Sequence, residues 1–295
     1  MHRYRSFIKD NLLILSGHVL IYLQGIILMP IIIKSVGVTT YGGYILLISA
    51  IGFIFGISSL GVGFEYKRYF PASADNQSRR ELFYPQFLFQ LMSVLFLSLV
   101  IVSFDRGIKN WLFANKIEFA VLLAPLLLLF NMFFSQSTDY FRYSGRMGYF
   151  NFATVAVPYV NIGIVVIFLY SFRNIDVNLL ILSQILAMLL LSLPLMLKIY
   201  REIGFYLPAI KVDDLLADMK LGFPLTLTNV TNFILRSSDR YVIAFFISVT
   251  AVGYYSPAYT LGSLIIFFPW FQESFFLLFY QKQLIAGESR RRKSW

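Results

Sequence analysis

The chain has 295 residues, 58% of them hydrophobic and 14% charged, with 31 Phe and 19 Tyr; a soluble globule carries about a quarter charged residues to wet its surface. With a mean hydropathy of +0.70, most of this surface must face lipid. The absence of cysteine excludes a disulfide scaffold, a thiolate metal site and a cysteine nucleophile, and the two histidines, His2 and His18, leave little for metal or triad chemistry. No cofactor is expected.

A helix needs about 20 apolar residues to cross a hydrocarbon core of about 30 Å. Eight stretches meet or approach that length: Asn11–Ile33, Tyr41–Phe64, Phe83–Phe104, Phe119–Gln136, Tyr149–Phe172, Val177–Leu197, Leu221–Ile247 and Ala251–Phe279. The first is too long for a signal-peptide core and lacks a small-residue cleavage site. The runs are continuous rather than alternating, which argues against a barrel. The expected fold is an all-α polytopic membrane protein with about eight transmembrane helices.

Polar groups inside a span are costly against lipid and normally face a cavity or another helix. Span one places Asn11, His18 and Tyr22 on one face. His18 there reads either as a sugar, phosphate or proton contact or as a neutral imidazole bonded to a neighbouring helix. Glu65, at the inner end of span two, reads as an interfacial charge near Lys67 and Arg68. Spans two to six are nearly uniformly apolar, and the segment Lys198–Lys220, with Pro208, predicts a short interfacial helix.

Span seven is different. Thr228, Asn232, Arg236 and Arg240 recur every four residues, flanked by Asn229 and Asp239. Arg236 and Asp239, three apart, are placed to pair. The stripe reads as a water-filled path that attracts an anionic group, or, for Asp239 and Arg240, as interfacial side chains that snorkel. Span eight aligns Tyr255, Tyr259, Ile266 and Glu273, beside Gly262 and Ser263. Tyrosines can stack on sugar rings, and they also serve simply in bundle packing. Pro30, Pro224, Pro257 and Pro269 fall in or beside spans one, seven and eight, where proline permits bending.

The net charge of +10 sits mainly between apolar runs, so it speaks of topology rather than nucleic acid. With the N-terminus inside, cytoplasmic segments hold 18 of the 25 Lys and Arg. The other seven are Lys34, Arg106, Lys109, Lys116, Arg173, Arg236 and Arg240. This bias satisfies the positive-inside rule and places both termini in the cytoplasm.

The sequence also repeats weakly at an offset of 211 residues. Ile32, Val38, Thr39, Gly42, Tyr44 and Ile54 meet Ile243, Val249, Thr250, Gly253, Tyr255 and Ile265. The identities concentrate in VTTYGGY and VTAVGYY, each in a turn between two apolar helices. A six-span unit returns the second copy in the same orientation, about an axis along the membrane normal. The predicted organisation is a six-helix lobe over 1–200, a cytoplasmic linker over 201–220, the first two helices of an incomplete second lobe over 221–280, and a basic cytoplasmic tail over 281–295.

Four segments carry a family resemblance: NLLILSGHVLIYLQGIILMPIIIKSVGVTTYGGY, LGVGFEYKRYFP, DYFRYSGRMGYFNFATV and LGFPLTLTNVTNFILRSSDRYVIAFFISVTAVGYYSPAY. The chain resembles a Wzx-type polysaccharide-biosynthesis flippase of the multidrug/oligosaccharidyl-lipid/polysaccharide exporter superfamily. GFP at the start of span seven, with SSDRY and VGYYS, is the most specific part. The resemblance implies movement of undecaprenyl-diphosphate-linked oligosaccharide from the inner to the outer leaflet, for O-antigen, capsule or exopolysaccharide, in a bacterial inner membrane. It implies twelve to fourteen spans in two lobes around a cationic cavity, working by alternating access. Arg236 and Arg240 would meet the diphosphate or acidic sugars, with His18 and Asn232 as cavity contacts. Membrane lipids and the glycosyltransferases and polymerase of the same pathway are the expected partners. The second lobe would need about four more spans, so the resemblance implies a truncated product or a partial sequence.

Rival readings are a membrane-embedded polymerase or acyltransferase, a small-molecule antiporter of the same superfamily, and a scaffold for glycosyltransferases. An enzyme would gather acid–base groups at a membrane face. A cation antiporter would favour an acidic cavity, whereas span seven offers two arginines to one aspartate.

Overall fold

The computed structural model describes residues 2–73, 75–104, 107, 120–172, 175–208 and 212–263, the side chains of 2–11, 212 and 263 excepted. Nine α-helices lie among the described residues: α1 (His2–Val36), α2 (Val38–Ser58), α3 (Phe64–Tyr69), α4 (Asn76–Ser103), α5 (Leu123–Tyr143), α6 (Met147–Ser171), α7 (Val177–Ile203), α8 (Val212–Phe246) and α9 (Val249–Ser263). A single 3-10 turn, Phe70–Ala72, follows α3. The protein is an all-α, multi-pass membrane protein.

Among the described residues, five helices are long and apolar enough to cross a membrane: α1 from Leu12, α2, α4, α6 and α7. The remaining predicted spans fall on α5, α8 and α9. Helix α5 has the length, 21 residues, but Gln136, Ser137 and Thr138 dilute its apolar run. All three are buried inside the bundle and bonded there. Gln136 donates to Gln90 at 2.9 Å and accepts from Gln86 at 3.3 Å, and Gln90 donates to Ser58 at 3.1 Å. Turning such groups inward and pairing them is what a lipid solvent demands. Helix α9 is described over 15 residues, and the rest of predicted span eight lies outside the described residues.

Helix α5 is central. It packs on α4, α6 and α7, while α1 lies against α6. Its Leu128 and Met132 share a buried core with Leu46, Val94, Leu180 and Ile181 of its neighbours. A second, aromatic cluster closes one end, with Tyr66, Phe70, Phe83, Tyr140 and Phe141 under the last turn of α7. That end also carries Glu202, which accepts from Arg79 at 3.1 Å, from Tyr140 at 3.0 Å and from both terminal nitrogens of Arg146. The carboxylate holds the Arg146 guanidinium above its usual pKa. One acidic side chain thus ties the start of α4, the α5–α6 turn and the end of α7.

The short interfacial helix predicted within 198–220 is not a separate element among the described residues. Helix α7 runs on to Ile203, and α8 starts at Val212 and continues without a break through Pro224 into the predicted span. Asp213 and Asp214 sit in its first turn, where their charge complements the helix dipole. Conversely, α3 is an element the hydropathy pattern does not reveal.

Helices α8 and α9 dock on α2. At one end the α2–α9 approach is close enough that a Cβ on Gly42 would sit 2.2 Å from the Val249 carbonyl oxygen, and one on Gly253 would sit 2.1 Å from that of Val38. Between these contacts, the hydroxyls of Thr39 and Thr250 are 2.8 Å apart, at a sequence separation of 211. The contact is reciprocal, since Gly42 meets Val249 and their repeat counterparts Gly253 and Val38 meet in the same way, as a local two-fold relation requires. At the other end, Gly61 (φ +86°) meets Gly222 backbone to backbone, with room for no side chain on either. Beside it the Asp218 carboxylate accepts the N–H groups of Gly63 at 2.7 Å and Glu65 at 3.0 Å. It caps α3 from a different helix.

Candidate functional site

The polar stripe of α8 begins on its exposed side. Thr228, Asn229, Asn232 and Arg236 are all exposed. Asn229 donates to the Gly56 carbonyl of α2 at 3.1 Å, so this side starts at the α2–α8 seam. Phe53 and Phe233 close the seam with ring centroids 4.3 Å apart.

One turn beyond Arg236 the stripe enters the α2–α8–α9 junction. The Arg240 guanidinium lies over the Tyr259 ring, 5.0 Å from its centroid, and donates to Ser49 at 3.3 Å. Its Nε is buried with no acceptor. Tyr255 donates its hydroxyl to Asp239, and its ring is 5.8 Å from that of Tyr259. Tyr241 donates to the Leu46 carbonyl at 2.9 Å and so fixes the azimuth of α8 against α2.

The sequence places Arg236 and Asp239 as an ion pair, and the structure differs. Asp239 takes a neutral tyrosine hydroxyl from α9 instead, and no ion pair joins it to Arg236 among the described residues. A spacing of three residues brings two side chains within reach but does not outcompete a better-directed donor on a packed neighbour. Both guanidiniums therefore keep their charge unneutralised by a contact ion pair among the described residues, against one carboxylate.

On α1, His18 is half-buried and its Nδ1 lies 2.9 Å from the Ile14 carbonyl oxygen, which requires the proton on that nitrogen. Tyr22 is likewise half-buried. Gly25, one turn on, faces Thr260 of α9 with 3.9 Å between its Cβ position and the Thr260 methyl. The structure thus brings Asp239, Arg240, Tyr255 and Tyr259 together, sets Asn232 and Arg236 on the adjoining exposed face, and keeps His18 and Tyr22 on a separate helix. Glu273 lies outside the described residues. Ser49 and Tyr241 are partners that the sequence reading missed, because no spacing rule links α2 to α8.

A second feature lies at the Asp218 end. A cavity of about 420 Å³ is lined by Glu65, Glu81, Asp214 and Asp218, with Tyr66 and Gln86 at its floor. Its described lining contains no basic residue. Burial raises the Glu65 carboxyl above the usual range, with repulsion from Asp218 and Asp214 behind it. Among the described residues no group of three His, Cys, Asp or Glu is arranged to hold a metal ion.

The fold is a stack of apolar helices around a charged interhelical seam. Two solved chains share it. One is the MATE multidrug transporter DinF-BH, solved as a complex, at a TM-score of 0.64 and 12% identity over 89% of this chain and 61% of that one. The other, described as protein A, gives 0.65 and 14% over the same shares. This chain spans about three fifths of their length. No curated protein matches the sequence significantly. Residues 7–272 match the family described as "Polysaccharide biosynthesis protein". The chain belongs to that family.

Proposed function

We propose that the protein takes part in flipping a diphosphate-linked oligosaccharide lipid from the cytoplasmic to the periplasmic leaflet of a bacterial inner membrane, for assembly of O-antigen, capsule or exopolysaccharide. The observation that carries this reading is the pair of guanidiniums on α8, Arg236 exposed and Arg240 seated on Tyr259, neither matched by a contact carboxylate among the described residues. A cation held in a low-dielectric seam attracts an anion strongly, and the guanidinium fork matches phosphate oxygens in pairs. Tyr255 and Tyr259 offer the ring faces and hydroxyl that suit a sugar. Membership of a polysaccharide-biosynthesis family supplies the carbohydrate context.

The test has two readouts on the full chain. Binding of an isoprenyl diphosphate should weaken about tenfold for Arg236→Gln and again for Arg240→Gln, the range of one charge-assisted contact each. In vesicles, the double variant should lose translocation of lipid-linked sugar. Unchanged binding in both variants removes α8 from the cargo path.

The acidic cavity favours a second reading, export of an organic cation, in keeping with the MATE-like fold. Efflux of a cationic dye, abolished by Glu65→Gln with Asp214→Asn and untouched by Arg240→Gln, would favour it over the first.

A further inference from the structure

A groove of about 410 Å³ opens between α4, α5 and α7, away from the α8 seam. Its walls are almost wholly apolar, with Phe87, Phe133, Leu193 and Met196 along its length and Tyr84 and Phe205 at one end. Phe87 stacks near both Phe83 and Phe133, at 5.7 and 5.9 Å. Leu193, Leu197, Tyr200 and Phe205 stand about half exposed or more, and on spanning helices such side chains face lipid. Shelter from water cannot select what fills such a groove, because acyl chains are as apolar as leucine. Selectivity has to come from a polar group at its mouth.

Arg80 is that group. Tyr84 donates to the Gly204 carbonyl at 2.5 Å, which fixes the groove's end against the α7 C-terminus. Gly204 has φ +68°, and a Cβ there would lie 3.2 Å from a terminal nitrogen of Arg80, so the guanidinium rests over this corner. Its neighbours in charge are spent: Arg79 and Arg146 both bind Glu202. Arg80 has no carboxylate partner among the described residues, and its Nε is buried without an acceptor. Arg80 and Phe87 stand about 10 Å apart along α4 at 1.5 Å per residue. That places a cation at headgroup level above an aromatic slot at acyl depth.

We propose that this groove holds one acyl chain of an anionic phospholipid, with its phosphate on Arg80. Basic pockets between spanning helices at the positive end of a bundle bind acidic headgroups by the same physics. The site depends on the chain spanning a membrane and not on what the chain transports.

Native mass spectrometry of the detergent-purified full chain tests it, with equimolar phosphatidylglycerol and phosphatidylcholine of identical acyl chains. Phosphatidylglycerol should be retained about tenfold over phosphatidylcholine, the range of one charge-assisted contact. Arg80→Gln should bring the ratio to parity. Arg68→Gln, which removes an equal charge from an exposed site over Tyr69, should leave it unchanged. Leu193→Trp, which fills the slot, should lower retention of both lipids; circular dichroism checks that each variant is folded. Parity in the parent, equal loss from Arg68→Gln, or no effect of Leu193→Trp overturns the proposal. So does displacement of phosphatidylglycerol by an equimolar isoprenyl phosphate, which would assign the groove to the cargo's own tail.

Discussion

Gly42 and Gly253 decide how near α2 and α9 can come, because each faces a carbonyl oxygen of the other helix at a distance no Cβ tolerates. Gly42→Ala should therefore destabilise the folded chain by about 1–3 kcal/mol, the usual cost of overpacking. Gly52→Ala is the internal control: it lies on the same helix with nothing within 4 Å of the added Cβ, and should be neutral or slightly stabilising. Thermal unfolding in detergent compares the two; equal shifts would show that the crossing is looser than described. These glycines were legible in the sequence, since both belong to the identities at offset 211. The partner of Asp239 was not. Tyr255 is sixteen residues away on another helix, and only the packing of α9 on α8 directs its hydroxyl there.

Helix α8 shows what a hydropathy window does and does not read. The window sees an apolar stretch from Leu221 and stops at the charges before it, whereas the helix begins at Val212 and uses those charges. Asp218, the last acidic residue before the span, is buried because it caps α3, and no local pattern announces a cap supplied from another element. Asp218→Ala should leave two N–H groups unsatisfied and cost about 1–3 kcal/mol, while Asp218→Asn retains one acceptor and should cost less. Hydrogen exchange at Gly63 and Glu65 reads this directly: faster exchange in the alanine variant is expected, and unchanged protection would mean that water replaces the carboxylate without loss. Helix α5 falls short on hydropathy for a related reason. Its Gln136 amide faces Gln86 and Gln90 rather than lipid, and a sum over composition cannot tell inside from outside.

For the whole molecule, the natural absence of cysteine makes a clean background for cross-linking. Thr39→Cys with Thr250→Cys should form a disulfide under mild oxidant, because the parent hydroxyls are already in contact at 2.8 Å. The sign is that protease fragments cut between the two positions stay joined until reduced. Separate fragments would contradict the paired arrangement. The helical, membrane-spanning class was legible from length and apolarity alone. The seams between helices were legible only where the repeat marked them, at Thr39 and Thr250, and not at Gly61 and Gly222, which have no repeat to reveal them.

The Thr39–Thr250 contact has a mechanical consequence. Both residues sit in the first turn of their helices, so the two rods are joined at their tips, like the legs of a pair of compasses. Helix α2 has 21 residues, about 31 Å of length at 1.5 Å each. A swing of only about 10° at the tip carries the far end through about 5 Å over that lever, more than enough to pull the Gly63 and Glu65 amides off Asp218. The Thr39–Thr250 joint thus sits at one end of the α2 rod, and the Asp218 contacts to α3 lie just past its other end.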